Sequence, residues 1–248
     1  MGGDIDALRD FLLDEQPRTI NRGRLEVVRT YLTDVLGRRV PGAVVELGCY
    51  RGAMTAWLRA VLDTCPPPTG DQPRPALDTC PPPTGDRPRA VHTYDAFQGL
   101  PPPGRQDTDH LATGEFAGTA EEVLALHDRF GLSRPVVHPG WLADTLPGAL
   151  PEQIAFAYLD VDRYDATLTA LRACVPRLAP GAVLLLDDYA DLPASRAAGT
   201  PMAQRKTPGV LAACRDYFGA SRVPQVVAAP GQDWGLGLHR APGPTPAG

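Results

Sequence analysis

Four aspartates stand where two apolar runs end. Ile154–Leu159 (IAFAYL) runs into Asp160-Val161-Asp162, and Ala182–Leu186 (AVLLL) runs into Asp187-Asp188. In extended chain, residues two apart share a face, so Asp160 and Asp162 project the same way. If the two runs are neighbouring strands, four carboxylates crowd one rim. Like charges that close repel and raise one another's pKa unless a cation neutralises them. Oxygen-only donors grouped this way point to a hard divalent ion, magnesium or similar. The competing use of such aspartates is to cap the helices that follow, but Asp165, just before Ala166, is better placed for that than Asp160.

A second constellation is Glu46-Leu47-Gly48-Cys49-Tyr50-Arg51-Gly52, between an apolar run and an amphipathic one. Glycines at such a turn let the backbone pass close to a cofactor. The spacing E-x-G-x-x-x-G differs from the dinucleotide fingerprint, and the acid ahead of the turn suits S-adenosylmethionine, which has no pyrophosphate to cradle. Asp95 ends the next apolar run, where an acid can accept from ribose hydroxyls or simply brace a turn. Gly140-Trp141 opens a further segment, GWLADTLP, whose indole could flank a flat ring such as adenine or sit in the core. The five histidines lie in no Ser/Asp or His/Cys motif, so no triad is assigned.

These residues need a frame. Strands are expected at Ala43–Leu47, Val91–Tyr94, Pro135–His138, Ile154–Leu159 and Ala182–Leu186, with two late ones near Gln225–Ala228 and Trp234–His239 forming a closing hairpin. Helices are expected at Leu25–Leu36, Ala53–Leu62, Ala120–Phe130, Ala166–Leu178 and Val210–Phe218. Continuous apolar strands alternating with helices predict an α/β, doubly wound, mainly parallel seven-stranded sheet with helices on both faces and a C-terminal antiparallel hairpin. Ligands in such sheets bind beyond the carboxyl ends of the strands, where the acids and glycines above fall. The whole chain, residues 1–248, reads as one domain, with residues 1–40 as a helical lid or packing segment.

Composition narrows the partners. Hydrophobic residues make up 43%, enough for a substantial core, and 24 basic residues against 29 acidic ones leave a net charge of −5. An acidic chain without a basic, aromatic stripe is not a general nucleic-acid binder. No apolar run approaches a membrane span, and the N-terminus lacks the basic region of a signal peptide. Five cysteines, odd in number and without metal-site spacing, suit a reduced cytoplasm. Proline is in excess, with 28 residues. Part of that excess is a tandem repeat, LDTCPPPTGDQPRP at 62–75 and LDTCPPPTGDRPRA at 77–90, which carries Cys65 and Cys80. Two copies of a non-amphipathic unit cannot stack a core, so 62–90 is expected to be a surface insertion in extended polyproline conformation or, on a sharper reading, a partner-docking loop.

The chain resembles the macrocin O-methyltransferase family of S-adenosylmethionine- and metal-dependent enzymes, which methylate sugar hydroxyls of bacterial natural products. The matching segments occur in family order: VVELGCYRGAMT, YDAFQGLPPP, FAGTAEEV, GWLADTLP, AYLDVDRYDATLTAL, LAPGAVLLLDDY and PGVLAACRDYF, covering most of residues 43–218. The resemblance implies a Rossmann-like methyltransferase form of the doubly wound fold. It implies that Glu46, Gly48, Cys49, Tyr50, Gly52, Gly140, Trp141 and Asp160 border the cofactor, with Asp95 near its ribose. It further implies that Asp160, Asp187 and Asp188 hold magnesium, that Asp162 is the general base, that the acceptor is a sugar or glycosylated natural product, and that the chain forms a homo-oligomer. The chain departs from the family pattern in four places. Arg163 replaces the usual Leu of D-x-D-L-Y, Gly181-Ala182 replaces a Gly-Gly, the 62–90 repeat is extra, and YADLPASRAAGTPMAQRKT after Asp188 is longer and different. That last stretch falls where the acceptor would sit.

Three other functions compete. A metal-dependent catechol or phenol methyltransferase would want an aromatic acceptor wall, yet only 6% of residues are aromatic. A D-x-D glycosyltransferase leaves E-L-G-x-x-x-G and Asp187-Asp188 unexplained. A non-catalytic binding protein leaves the four aspartates without a use.

Overall fold

The structure is a computed structural model and describes residues 4–64, 89–192, 206–229, 232 and 234–243. The duplicated proline-rich segment with Cys65 and Cys80 lies outside the described residues at 65–88, and most of the divergent stretch after Asp188 lies outside them at 193–205.

Seven strands form one sheet: β1 (Ala43–Leu47), β2 (Val91–Asp95), β3 (Val136–Pro139), β4 (Ile154–Leu159), β5 (Leu178–Asp191), β6 (Gln225–Val227) and β7 (Trp234–Arg240), in the spatial order β3-β2-β1-β4-β5-β7-β6. Strands β1 to β5 are parallel; β7 runs antiparallel to β5, and β6 antiparallel to β7. The chain builds outward from β1 through β2 to β3, then returns to lay β4 and β5 on the other side. That reversal opens a crevice at the carboxyl ends of β1 and β4.

Successive residues of the central strands feed opposite faces. Val44, Phe156, Val183 and Leu185 pack with α1 (Ile5–Glu15), α2 (Arg22–Gly37) and α3 (Ala53–Thr64), which α4 (Ala120–Arg129) flanks. Val45, Ala157, Leu184 and Leu186 pack with α5 (Leu142–Ala149), α6 (Tyr164–Cys174) and α7 (Pro208–Phe218). The N-terminal segment therefore packs: Leu8, Leu12, Leu25, Val28 and Leu32 are buried, and the Trp57 indole N–H donates to the Leu25 carbonyl at 3.0 Å. Cys49, Cys174 and Cys214 are buried free thiols. No helix among the described residues is long and apolar enough to cross a membrane.

Two elements differ from expectation in ways that shape the site. Strand β5 does not stop at Leu186. It continues to Asp191, and its pairing with β7 slips between Leu186 and Ala190. Asp187 and Asp188 thus sit in an irregularity inside a strand, where the two side chains are re-aimed, rather than beyond its end. Helix α6 starts at Tyr164, so Asp165 lies in its first turn and does not cap it. Asp107, from the β2–α4 connection, accepts the Tyr164 N–H at 2.9 Å instead. A cap so distant in sequence leaves no local signal.

Candidate active site

The cofactor-type turn is built from β1 outward. The Gly48 N–H donates to the Tyr94 carbonyl at 2.8 Å, and the Asp160 N–H donates to the Leu47 carbonyl at 2.9 Å, so the ends of β2, β1 and β4 are tied together. Gly48 has φ +84°, and a Cβ there would stand 1.9 Å from the Asp160 carbonyl oxygen. Its glycine is required by the close approach of β4. Asp95 then braces the turn: one carboxylate oxygen accepts from the Cys49 and Tyr50 N–H groups at 2.9 and 2.8 Å, the other from the Phe97 N–H at 2.7 Å. Burial pushes the Asp95 carboxyl up, and these three backbone donors oppose that.

Glu46 is buried behind the turn and accepts from the Thr55 and Thr93 hydroxyls, the latter at 3.2 Å. Burial raises its pKa to about 8, the two hydroxyl bonds lower it, and the Asp95 charge adds to the rise. A carboxyl held that high is protonated at neutral pH.

The turn opens into a cleft of about 360 Å³. Glu46, Gly48, Cys49, Tyr50, Asp95, Trp141, Asp160, Asp162 and Asp188 all line it. Three residues expected at the site do not. Gly52 (φ +80°) faces α4, where a Cβ would meet Val123 at 2.9 Å. Gly140 (φ +137°) makes room for Thr145. Asp187 points away from the cleft into a buried ion pair. All three shape the elements that carry the site and leave its wall to others.

In the same cleft the carboxylates of Asp160, Asp162 and Asp188 converge, with one oxygen of each within 4.8 Å of the others. Asp162 and Asp188 both adopt left-handed backbone, at φ 57° and 51°. Such strain in a non-glycine residue marks a position its surroundings over-determine. At Asp162 the turn is closed by the Arg163 N–H on the Val161 carbonyl at 2.5 Å. Burial lifts the Asp160 carboxyl well above the usual range, and the Asp187 and Asp162 charges lift it further. Burial and the Asp188 charge raise Asp162 to about 7, against the pull of Lys206.

Asp187 has a different environment. Its side chain is fully buried, its Oδ2 lies 2.7 Å from Arg24 Nε, and it accepts from the Tyr158 hydroxyl. Arg24 comes from α2 and its Nη2 reaches to 3.8 Å from Asp188 Oδ1. Burial drives the Arg24 pKa down, but the charges of Asp187, Tyr158, Asp160 and Asp188 together outweigh it and the net shift is upward.

Sequence patterns missed two cations here. Arg24 sits in a helix whose apolar spacing announces only packing, and Lys206 ends a stretch without periodicity. Lys206 Nζ donates to Asp188 Oδ2 at 3.0 Å. Arg163, the departure from D-x-D-L-Y, is buried and donates to the carbonyls of Thr108 and Leu111 at 3.0 and 2.8 Å. It fastens the β2–α4 connection, whose Leu100 and Phe116 form part of the cleft wall.

The chain is similar to known proteins. A family model described as macrocin-O-methyltransferase (TylF) matches residues 82–208. The 8-demethyl-8-(2,3-dimethoxy-alpha-L-rhamnosyl)-tetracenomycin-C 4'-O-methyltransferase of Streptomyces olivaceus is 35% identical over 176 residues, 67% of this chain and 60% of that protein. The mycinamicin III 3''-O-methyltransferase of Micromonospora griseorubida is 31% identical over 192 residues, 72% of this chain and 67% of that protein. This chain thus spans only 60% of the length of the Streptomyces olivaceus relative. The solved structure of the O-methyltransferase NovP shares the fold, with a TM-score of 0.63 at 24% identity over 88% of this chain and 79% of that one.

Proposed function

The chain belongs to the macrocin O-methyltransferase family, and on that premise we propose that it methylates a sugar hydroxyl of a bacterial natural product or of its sugar precursor. S-adenosylmethionine is the donor and a divalent cation, magnesium or similar, assists. The observation that carries this reading is one cleft lined both by the glycine turn after β1 and by three converging carboxylates. The name of the Streptomyces olivaceus relative, which prints a rhamnosyl group and a 4'-O position, favours a sugar over a catechol.

The residues fit both groups. The Gly48–Tyr50 turn, Asp95 and Trp141 would hold S-adenosylmethionine, which supplies a methyl group on a positively charged sulfur. Asp160 and Asp188 offer hard oxygen donors whose mutual repulsion lacks full compensation, and they would hold the divalent cation. That ion supplies a Lewis acid, which lowers the pKa of a neighbouring hydroxyl by several units. Asp187, expected as a third ligand, is committed to Arg24 and Tyr158 and acts from behind by fixing the strand that carries Asp188.

Asp162 takes the acceptor proton. Its carboxylate stands beside Asp160 and Asp188, and burial holds it above the usual carboxylate range, which keeps it basic enough to accept a proton. The left-handed turn at Asp162 sets the direction of that carboxylate, and its location on a braced strand end keeps it there. Holding acceptor oxygen and donor methyl in line supplies much of the rate.

The test is methyl transfer from labelled S-adenosylmethionine to a panel of sugar-bearing natural products and nucleotide sugars, with magnesium and with chelator. Transfer to a sugar hydroxyl that chelator abolishes and magnesium restores is the expected result. Transfer only to phenols would move the acceptor class, and undiminished transfer in chelator would remove the metal.

A further inference from the structure

Of the 24 basic residues in the sequence, 23 are arginine; Lys206 is the only lysine. It lies in the stretch where the chain departs from its family's pattern. The structure puts this one ammonium at the acidic trio. Its Nζ is 3.0 Å from Asp188 Oδ2, and the Asp162 and Asp160 carboxylates are near enough to act on its charge. The placement is fixed from both sides. The Thr108 hydroxyl donates to the Lys206 carbonyl at 3.2 Å, and the hydroxyl of the next residue, Thr207, donates to the Asp188 carbonyl at 3.2 Å. The side chain then passes close to Phe116, with Nζ 6.0 Å from the ring centre.

The residue type matters. A lysine ammonium is a compact point charge on a flexible stem, whereas a guanidinium is a broad, rigid fork. Of all side chains it comes closest to the form of a small cation. Its long stem can also withdraw it without moving the backbone. Arg24 also lines the cleft, but it is paired with Asp187 and comes only to 3.8 Å from Asp188, so Lys206, at 3.0 Å, makes the closer cation contact with the trio.

We propose that Lys206 is the resident counter-cation of the Asp160, Asp162 and Asp188 cluster, and that a divalent ion enters by exchange, displacing its ammonium from Asp188. This rests on the reading of the cluster as a metal site. With the ammonium in place, three carboxylates do not spring apart when no metal is bound. The cost is that a metal must outcompete a tethered cation, so the chain binds divalent ions more weakly than its carboxylates alone would.

The test uses the full chain and Mn²⁺, followed by electron paramagnetic resonance of the free ion. Lys206→Met is expected to bind Mn²⁺ at least about tenfold more tightly than wild type, because one unit charge is removed at contact distance. Lys206→Arg keeps the charge and should stay within about threefold of wild type. Equal or weaker binding by Lys206→Met, with clear binding by wild type, overturns the exchange while leaving the metal site standing. No binding by either protein, or binding that survives Asp160→Asn unchanged, removes the metal site itself and the exchange with it. A second readout needs no variant. As the sole lysine, Lys206 yields the one lysine-acetylated peptide, distinct in sequence from any labelled at the N-terminal amine, when the native protein is treated with an amine-reactive ester. Its labelling rate should rise severalfold when Mn²⁺ saturates the protein; a rate unchanged by bound Mn²⁺ overturns the displacement.

Discussion

Arg24 Nε on helix α2 lies 2.7 Å from Asp187 Oδ2 on strand β5, and both side chains are almost wholly buried. The pair joins the N-terminal packing layer to the strand that carries the acidic site. Breaking a buried pair from one side leaves the other charge unpaired, at a cost of about 3–5 kcal/mol. Arg24→Met should therefore lower the thermal midpoint by roughly 6–20 °C, at about 2–4 °C per kcal/mol for a chain of this size. The double variant Arg24→Met/Asp187→Asn should recover much of that loss, as thermal denaturation in a double-mutant cycle would show.

Asp162→Asn keeps the size of the side chain and removes its basicity. Turnover should fall by about 10²–10⁴-fold, the range for loss of a positioned acid–base group. Affinity for S-adenosylhomocysteine, measured by calorimetry, should stay within about threefold, since Asp162 does not brace the glycine turn. A parallel loss of both would mean that Asp162 supports the cleft and does not serve the chemistry.

Asp95→Ala should behave in the opposite way. Three backbone N–H groups, on Cys49, Tyr50 and Phe97, lose their acceptor. Each unsatisfied buried donor costs about 1–3 kcal/mol. Calorimetry should show S-adenosylhomocysteine affinity falling by about tenfold or more, and the thermal midpoint should fall with it.

Glu46 gives a pH dependence with a definite sign. Its folded pKa is about 8, against roughly 4.3 in an unfolded chain. The folded state therefore holds the proton that the unfolded state releases. Glu46 contributes its full stability below about pH 4.3 and loses that contribution as pH rises towards 8. Glu46→Gln stays neutral throughout. Its stability relative to wild type should rise steadily from pH 5 to pH 8 in urea denaturation, and a difference that is flat across that window would show an ionised Glu46.

Much of the frame was legible because it follows from local rules. The apolar run IAFAYL has no solvent face to offer, so it could only be a central strand, and β4 is buried at every position. The glycine turn, Asp95 and the D-x-D segment fall at strand ends because that is where a parallel sheet stops being covered. What was not legible depends on partners distant in sequence. Nothing near Asp187 and Asp188 says that the strand continues past them and turns one outward and one inward. That follows from the β7 pairing and from Arg24. Gly48 lines the cleft, but the approach of the Asp160 carbonyl also demands a glycine there, and nothing near Gly48 in sequence signals it. Arg163 was noted only as a departure, because its use depends on carbonyls more than 50 residues earlier, with the Arg163–Leu111 separation being 52.

The sheet order sets a schedule for synthesis. Strand β1 ends at Leu47, but β4, which covers one of its edges, starts at Ile154, and 154 − 47 = 107 residues. At about 5–20 residues per second, that edge waits on the order of 5–20 s on the ribosome with its amides unpaired. An open apolar edge is a template for pairing with other chains. Each residue added between β1 and β4 extends the wait, and the second copy of the proline-rich repeat adds 15. Slower elongation across that repeat should therefore lower the soluble yield of the protein without changing any contact in its folded state.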